Sequence, residues 1–101
     1  MQIISNISDM IEDKLDSAEC YIKKAMEYKE TYPELASAFL RISIEEMNHL
    51  NMLHEQVVSI INNYKKEHGD PPEKMQGIYE YLHKKHIEKA NAIKVLQTLF
   101  K

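Results

Sequence analysis

The sequence predicts an all-α fold, and three features of the chain lead to that prediction. Its 101 residues include only two glycines and three prolines, too few for the many turns of a β fold. Apolar residues recur at spacings of three and four over long stretches, which is the period of a helix packed on one side. Proline-containing segments separate these stretches into three. An antiparallel three-helix bundle, in a single domain of residues 1–101, is therefore expected.

The first helix is expected over residues 9–30. Asp9 followed by Glu12 matches a capping box, in which each side chain satisfies a backbone N–H at the start of a helix. An apolar row follows at helical spacing and defines the face that should be buried. Its members are Ile11, Leu15, Ala18, Ile22 and Ala25.

The second helix is expected over residues 33–67. Thr31 and Glu34 form another capping box, and Pro33 is tolerated in a first turn, where its missing N–H is not needed. Gly69 is the expected left-handed cap at the far end, and the prolines after it forbid continuation. The inward row has the spacing of a heptad seam. It consists of Ala36, Phe39, Ser43, Glu46, Leu50, Leu53, Val57, Ile60 and Tyr64.

The third helix is expected over residues 71–100. Asp70 with Glu73 makes a third capping box, and Pro71 would occupy the first helical position. One face again carries residues at alternating spacings of three and four, which predicts packing against the other two helices. These residues are Met75, Tyr79, Leu82, His86, Ala90, Ile93, Leu96 and Phe100.

Composition and charge exclude several classes of protein. The net charge is −3 with the two signs interleaved, so no basic stripe predicts nucleic-acid binding. The apolar runs are only a few residues long, which argues against a membrane span, and the N-terminus lacks the pattern of a signal peptide. A single cysteine, Cys20, rules out an internal disulfide and fits a reducing compartment. The expected location is cytoplasmic.

The unequal helix lengths predict an association between copies of the chain. Helices two and three are expected to extend beyond helix one, which leaves part of their apolar surface without an internal partner. The six methionines and three of the tyrosines, Tyr64, Tyr79 and Tyr81, are candidates for this surface. Such exposed stripes favour a homodimer or larger assembly. The alternative is that the N-terminal residues 1–5 fold over the excess surface.

The segment "IEEMNHLNMLHEQ", residues 44–56, places a carboxylate on the inward row of helix two. An ionised Glu46 in a dry bundle costs several kcal/mol unless it is paired, protonated or bound to a metal. His49 lies on the same face one turn later, and a carboxylate and an imidazole so placed can ligate one transition-metal ion. The alternative is a salt bridge from Glu46 to a lysine or to Arg41.

Helix three repeats this E-x-x-H arrangement with Glu80 and His83, and His86 adds an imidazole one turn further along. Chance predicts about 0.6 such motifs in a chain of this composition, and there are two. Relative height in the bundle favours His86 as the inward ligand, whereas the motif favours His83, so both stay open. His54 is interpreted as a surface or half-buried histidine rather than a ligand.

Helix one offers acidic side chains at a similar height. Glu19 lies about twelve residues before the first turn and Glu46 about fifteen residues after it, which brings them within roughly one helical turn of each other. Asp16 and Glu12 are alternates one and two turns earlier. The candidate metal ligands are Glu19, Glu46, His49, Glu80, His83 and His86.

These residues resemble a known family. "PELASAFLRISIEEMNHLNMLHEQ" is similar to the second helix of ferritin-like, especially rubrerythrin-like, carboxylate-bridged di-iron proteins, with Glu46 and His49 in the motif positions. "LDSAECYIKKAMEYK" looks like the first helix of that family, with Glu19 as its best-matching ligand. Glu80 and His83 supply a second E-x-x-H, but a fourth helix and its glutamate are missing.

The resemblance implies bound iron, with two ions possible, and oxidation of ferrous iron by oxygen or peroxide. Zinc or manganese is not excluded. The missing helix implies that two chains complete the site between them, or that the site is degenerate. A second hypothesis is a non-catalytic helical module that binds another copy of the chain or a partner helix.

Overall fold

The computed structural model describes residues 2–100, which form three helices and, within that range, no strand. Helix α1 spans Gln2–Tyr28, α2 spans Pro33–His68, and α3 spans Glu73–Phe100. The bundle is a rod of 55 × 18 × 18 Å. The predicted all-helical architecture is therefore confirmed.

Contacts between side chains establish the helix directions. Lys14 contacts Glu46 and Ser43 contacts Ala18, so α1 and α2 run antiparallel. In contrast, Glu12 pairs with Lys85 and Asp16 pairs with Lys89, so both residue numbers rise together and α1 and α3 run parallel. The chain thus goes up, down and up again, as expected for short connections between consecutive helices.

Two predicted helix starts are wrong. Helix α1 begins at Gln2, seven residues before the predicted start at Asp9, because Ile4 continues the inward row and is buried. Residues 2–5 are therefore the first turn of α1 rather than a segment folded over the bundle. Helix α3 begins at Glu73, so Pro71 precedes the helix instead of occupying its first position.

The α1–α2 turn and the end of α2 agree with the sequence signals only in part. Pro33 is the first residue of α2, as predicted, but Tyr32 is the capping residue and no side chain makes a capping hydrogen bond there. At the other end, Gly69 has φ +77° and its N–H bonds to the Lys65 carbonyl. A positive φ explains why glycine follows this helix.

The core lies mainly between α1 and α2. All five members of the predicted α1 row are buried, whereas Ile93 is the one buried residue of α3 in the part of the chain described here. Ser43, fully buried, joins all three helices, because its hydroxyl donates to the Ala18 carbonyl (2.7 Å) and accepts from Gln97 (3.0 Å).

The expectation that helices two and three both extend beyond helix one is also wrong. Helices α1 and α3 have 27 and 28 residues, so only α2, with 36, extends beyond its neighbours. Apolar surface is nevertheless exposed, and it includes some of the predicted side chains. Met10, Met26, Met52 and Tyr81 are exposed, Met47 is buried, Met75, Tyr64 and Tyr79 are half-buried, and Met1 lies outside the described residues.

Candidate functional site

Glu46 lies in the α1–α2 interface, where three polar groups surround its carboxylate. The side chain is 15% exposed, and its Oε1 lies 2.9 Å from Nδ1 of His49. The Lys14 ammonium lies 3.4 Å from each carboxylate oxygen, and the Ser17 hydroxyl also donates to it. The polar residue on the inward row is thus paired within the chain rather than isolated.

The surroundings of Glu46 keep its carboxyl group ionised. Burial by itself raises the pKa, but hydrogen bonds from His49, Ser17 and Lys14, together with the charge of Lys14, outweigh burial and hold the pKa of Glu46 below its usual value. Of the two sequence interpretations, the salt bridge to a lysine is present, with Lys14 as the lysine. The E-x-x-H pair is also formed, since Glu46 and His49 are in contact.

The acidic residues of α1 point to lysines rather than to Glu46. Glu19 pairs with Lys23 of its own helix at 3.5 Å. The two alternates, Asp16 and Glu12, form ion pairs with Lys89 and Lys85 of α3. Helix α1 therefore uses two of these carboxylates, Glu12 and Asp16, to hold α3 alongside it.

On α3 the three predicted ligands occupy different environments. Glu80 and His83 are exposed, whereas His86 lies half-buried on the inward row. The Nε2 atom of His86 is buried and has no hydrogen-bond partner among residues 2–100. His86, not His83, is thus the imidazole that points toward the interior of the bundle.

His54 of α2 is the residue that the sequence interpretation set aside. Its Nε2 lies 3.1 Å from Nδ1 of His83, and the two rings stack with centroids 4.9 Å apart and planes inclined by 19°. A signal for this contact was present in the sequence. His54 lies fifteen residues before Gly69 and His83 fourteen residues after it, so the two stand at the same height across the α2–α3 turn.

A cavity of about 260 Å³ lies where the first half of α1, the second half of α2 and the first half of α3 meet. Most of its lining is apolar, including Ile4, Ile11, Val57, Ile61 and Leu82. The polar part of the lining contains the three histidines His54, His83 and His86, which we call the histidine cluster, together with Ser8, Lys65, Gln76 and Glu80. The cavity therefore gathers three of the five imidazoles of the chain.

Two members of the histidine cluster have altered acidity. Burial lowers the pKa of His86 and also that of His54, and the neighbouring His83 lowers the latter further. Both shifts favour the neutral imidazole, the form that has a free lone pair on one nitrogen.

The predicted ligands do not form one site. Positions 46 and 54 of α2 are separated by about 12 Å along the helix axis, so the Glu46–His49 pair and the histidine cluster are separate places. Within residues 2–100, no three histidine, cysteine, aspartate or glutamate side chains converge closely enough to hold a metal ion. No described helix is long and apolar enough to cross a membrane. Comparisons with known protein families, with curated proteins and with solved structures gave no match to this chain.

Proposed function

We propose that this protein is a helical self-association module and that two copies pair through the outer face of α3. The observation that carries the proposal is the composition of this face. Ile78, Tyr81, Val95 and Leu99 are between 49% and 66% exposed, and Ala92 lies exposed among them. We call these five residues the outer stripe.

The spacing of the outer stripe fits a partner helix. Its members fall within a sector of about 100° on the helix surface, directly beside the row that packs on α1 and α2, and the charged Lys85 and Glu88 lie in the same sector. Ile78 and Tyr81 lie about as far before Glu88 as Val95 and Leu99 lie after it. A two-fold axis near Glu88 would therefore place Ile78 against Leu99 of a second copy and Tyr81 against its Val95, with the two exposed Glu88 side chains facing each other near the axis. This self-complementarity favours a second copy as the occupant.

The exposed area also agrees with a dimer. The chain exposes 6938 Å², whereas a compact monomer of its 11.9 kDa is expected to expose roughly 5,900 Å². The excess of about 1,000 Å² is comparable to the ~800 Å² that each partner buries in a stable protein–protein interface. Pairing along the long rod would bury more of α3, in which Ile93 is the one fully buried side chain among residues 73–100.

Sedimentation equilibrium between micromolar and high micromolar concentration tests this proposal. We expect a mass of about 24 kDa, twice the 11.9 kDa of one chain. Leu99→Lys and Val95→Lys should return the mass to that of one chain with unchanged helix content, because a charge would be buried at the interface. Met52→Lys is the matched control, since Met52 is equally exposed, at 64%, but lies on α2 outside the outer stripe. A monomeric wild type, or dissociation of the control variant, would overturn the proposal.

A second candidate function is iron binding at Glu46 and His49, as the resemblance to ferritin-like di-iron proteins implies. The contact between the ionised Glu46 and His49 favours it, because a carboxylate and an imidazole are already held together. The donor set of one chain does not fit a di-iron centre, however, since the Lys14 ammonium lies where a cation would bind and Glu19 pairs with Lys23. Further ligands would have to come from a second copy, so this candidate rests on self-association.

Anaerobic loading with ferrous iron, followed by desalting and metal analysis, tests the second candidate. Stoichiometric iron in the wild type, lost in Glu46→Gln and His49→Ala but kept in Glu45→Gln, would support it. Glu45 is the matched control because it is an exposed glutamate next to Glu46. A wild type without retained iron would exclude this candidate and leave the self-association proposal unaffected.

A further inference from the structure

The contact between His54 and His83 joins imidazoles of two different helices, α2 and α3. Their ring nitrogens are 3.1 Å apart, which is hydrogen-bond distance, but one such bond uses only one nitrogen of each ring. His86 follows His83 by one turn, lines the same cavity, and keeps a buried Nε2 without a hydrogen-bond partner within the described chain. Together the three rings present more nitrogen donors and acceptors than they use among themselves.

We propose that the histidine cluster is a binding site for a divalent transition-metal ion such as Zn²⁺ or Ni²⁺, with His54 and His83 as the primary ligands and His86 as the third. The site is distinct from the Glu46–His49 pair, and it does not depend on self-association. Imidazole nitrogen is a preferred ligand of these ions, whereas Mg²⁺ and Ca²⁺ require oxygen ligands.

The distance between the first two nitrogens is close to the spacing that a metal requires. Two imidazole nitrogens at ~2.0–2.1 Å from one tetrahedral ion lie roughly 3.3–3.4 Å from each other. The observed separation of 3.1 Å has to increase by only a few tenths of an ångström, together with a rotation that unstacks the rings. His83 is exposed, and this leaves its ring free to turn.

Recruitment of His86 completes a set of three nitrogen ligands. In the observed conformation the three rings do not converge, so a metal has to draw the His86 side chain toward the other two. The cavity of about 260 Å³ provides the space for this rotation and for a water molecule as the fourth ligand. Metal binding would give the Nε2 atom of His86, which has no hydrogen-bond partner within residues 2–100, a bond to the metal.

The place of the cluster determines what a bound ion would do. It would link the second half of α2 to the first half of α3, on either side of the cavity, where the chain has little buried apolar surface. A ligand that binds the folded state and not the unfolded chain stabilises the fold by an amount that grows with the logarithm of its concentration above Kd. Metal binding is therefore expected to raise the melting temperature.

The experiment is a calorimetric titration of tag-free protein with Zn²⁺ and with Ni²⁺, together with thermal melts at each metal concentration. We expect one ion per chain and a melting temperature that rises with metal. His54→Gln and His83→Gln should each weaken binding at least tenfold, and His86→Gln should weaken it by a smaller factor. Mg²⁺ should have no effect on the melt.

The two remaining histidines are matched controls, because His49 and His68 are exposed and lie outside the cavity. His49→Gln and His68→Gln should bind metal as the wild type does. Melts without metal identify any cluster variant that is simply unfolded, and Leu99→Lys, studied as a monomer, separates this site from the dimer interface. The proposal is overturned if the wild type binds no ion, or if all five histidine variants weaken binding to the same extent.

Discussion

The ion pair between Lys14 and Glu46 is the interaction that decides how the carboxylate on the inward row of α2 is accommodated. We expect Glu46→Gln and Lys14→Met each to destabilise the fold, and the double variant to be less destabilised than the sum of the two. Glutamine keeps the shape of Glu46 without its charge, and methionine keeps most of the alkyl stem of lysine. The double-mutant cycle then isolates the pairwise interaction.

The magnitude follows from the geometry of the pair. The ammonium lies 3.4 Å from both carboxylate oxygens, and the side chains of Lys14 and Glu46 are 38% and 15% exposed. Fully exposed pairs contribute ~0.2–1 kcal/mol, and hydrogen bonds to charged groups contribute ~1.5–3 kcal/mol. Because the carboxylate is mostly buried but the lysine is open to solvent, we expect a coupling of about 1 kcal/mol. In a domain of this size that corresponds to roughly 4–8 °C in melting temperature.

Urea denaturation of the wild type, the two single variants and the double variant at pH 7 measures this coupling. A second series in acid tests its electrostatic origin. The pKa of Glu46 is lower in the folded chain than its unfolded value of ~4.3, so its stabilising contribution is complete above that value and is lost as the pH falls through the folded pKa. The pair Lys23–Glu19, four residues apart within α1, is the control and should show a smaller coupling of about 0.3–0.5 kcal/mol. A coupling of zero at pH 7, or one that survives protonation of Glu46, would refute the assignment of Lys14 as its partner.

Three further predictions concern other parts of the bundle. Ser43→Ala removes two hydrogen bonds from a buried hydroxyl and should cost about 1–2 kcal/mol in urea unfolding, whereas Ser37→Ala on the exposed side of α2 should change little. Gly69→Ala should cost about 1–2 kcal/mol, because φ +77° with ψ −166° is nearly restricted to glycine. Gly77→Ala, in an open helical position, should instead stabilise the fold by about 0.5–1 kcal/mol. A change in the free energy of unfolding that has the same sign for both variants would contradict this. Burial lowers the pKa of His86, so the free energy of unfolding should decline as the pH falls below the unfolded pKa of ~6.5. In thermal melts over the same pH range, the melting temperature of His86→Gln should decline less than that of the wild type.

Much of the fold follows from the local pattern of the chain. The apolar row of α1 and the inward row of α3 were identified by their spacing, because each side chain on a packed helix face recurs with the helical period. The start of α1 was not identified, because the Asp9–Glu12 pattern of a capping box can also occur within a helix that begins earlier. Burial of Ile4 against the other helices outweighed that signal, and such burial is a property of the assembled bundle.

The candidate sites, like the fold, follow partly from the spacing of residues in the sequence and partly from the way the helices pack together. Spacing alone brings Glu46 and His49 together, because both lie on one face of one helix. It does not reveal that Lys14 of another helix reaches the same carboxylate, nor which of two neighbouring histidines points inward. Those outcomes depend on the rotation and height of each helix relative to the others.

The sequence by itself thus determined three helices, their connections and the faces that they bury, because these depend on residues a few positions apart. Only the tertiary structure decided that the ionised Glu46 pairs with Lys14, that His86 carries a buried nitrogen, and that His54 contacts His83 beside a cavity. Each of these contacts joins or positions residues of different helices, many positions apart in the chain. A shift of one helix by a single turn, about 5.4 Å, would replace every one of them while leaving the helical pattern unchanged.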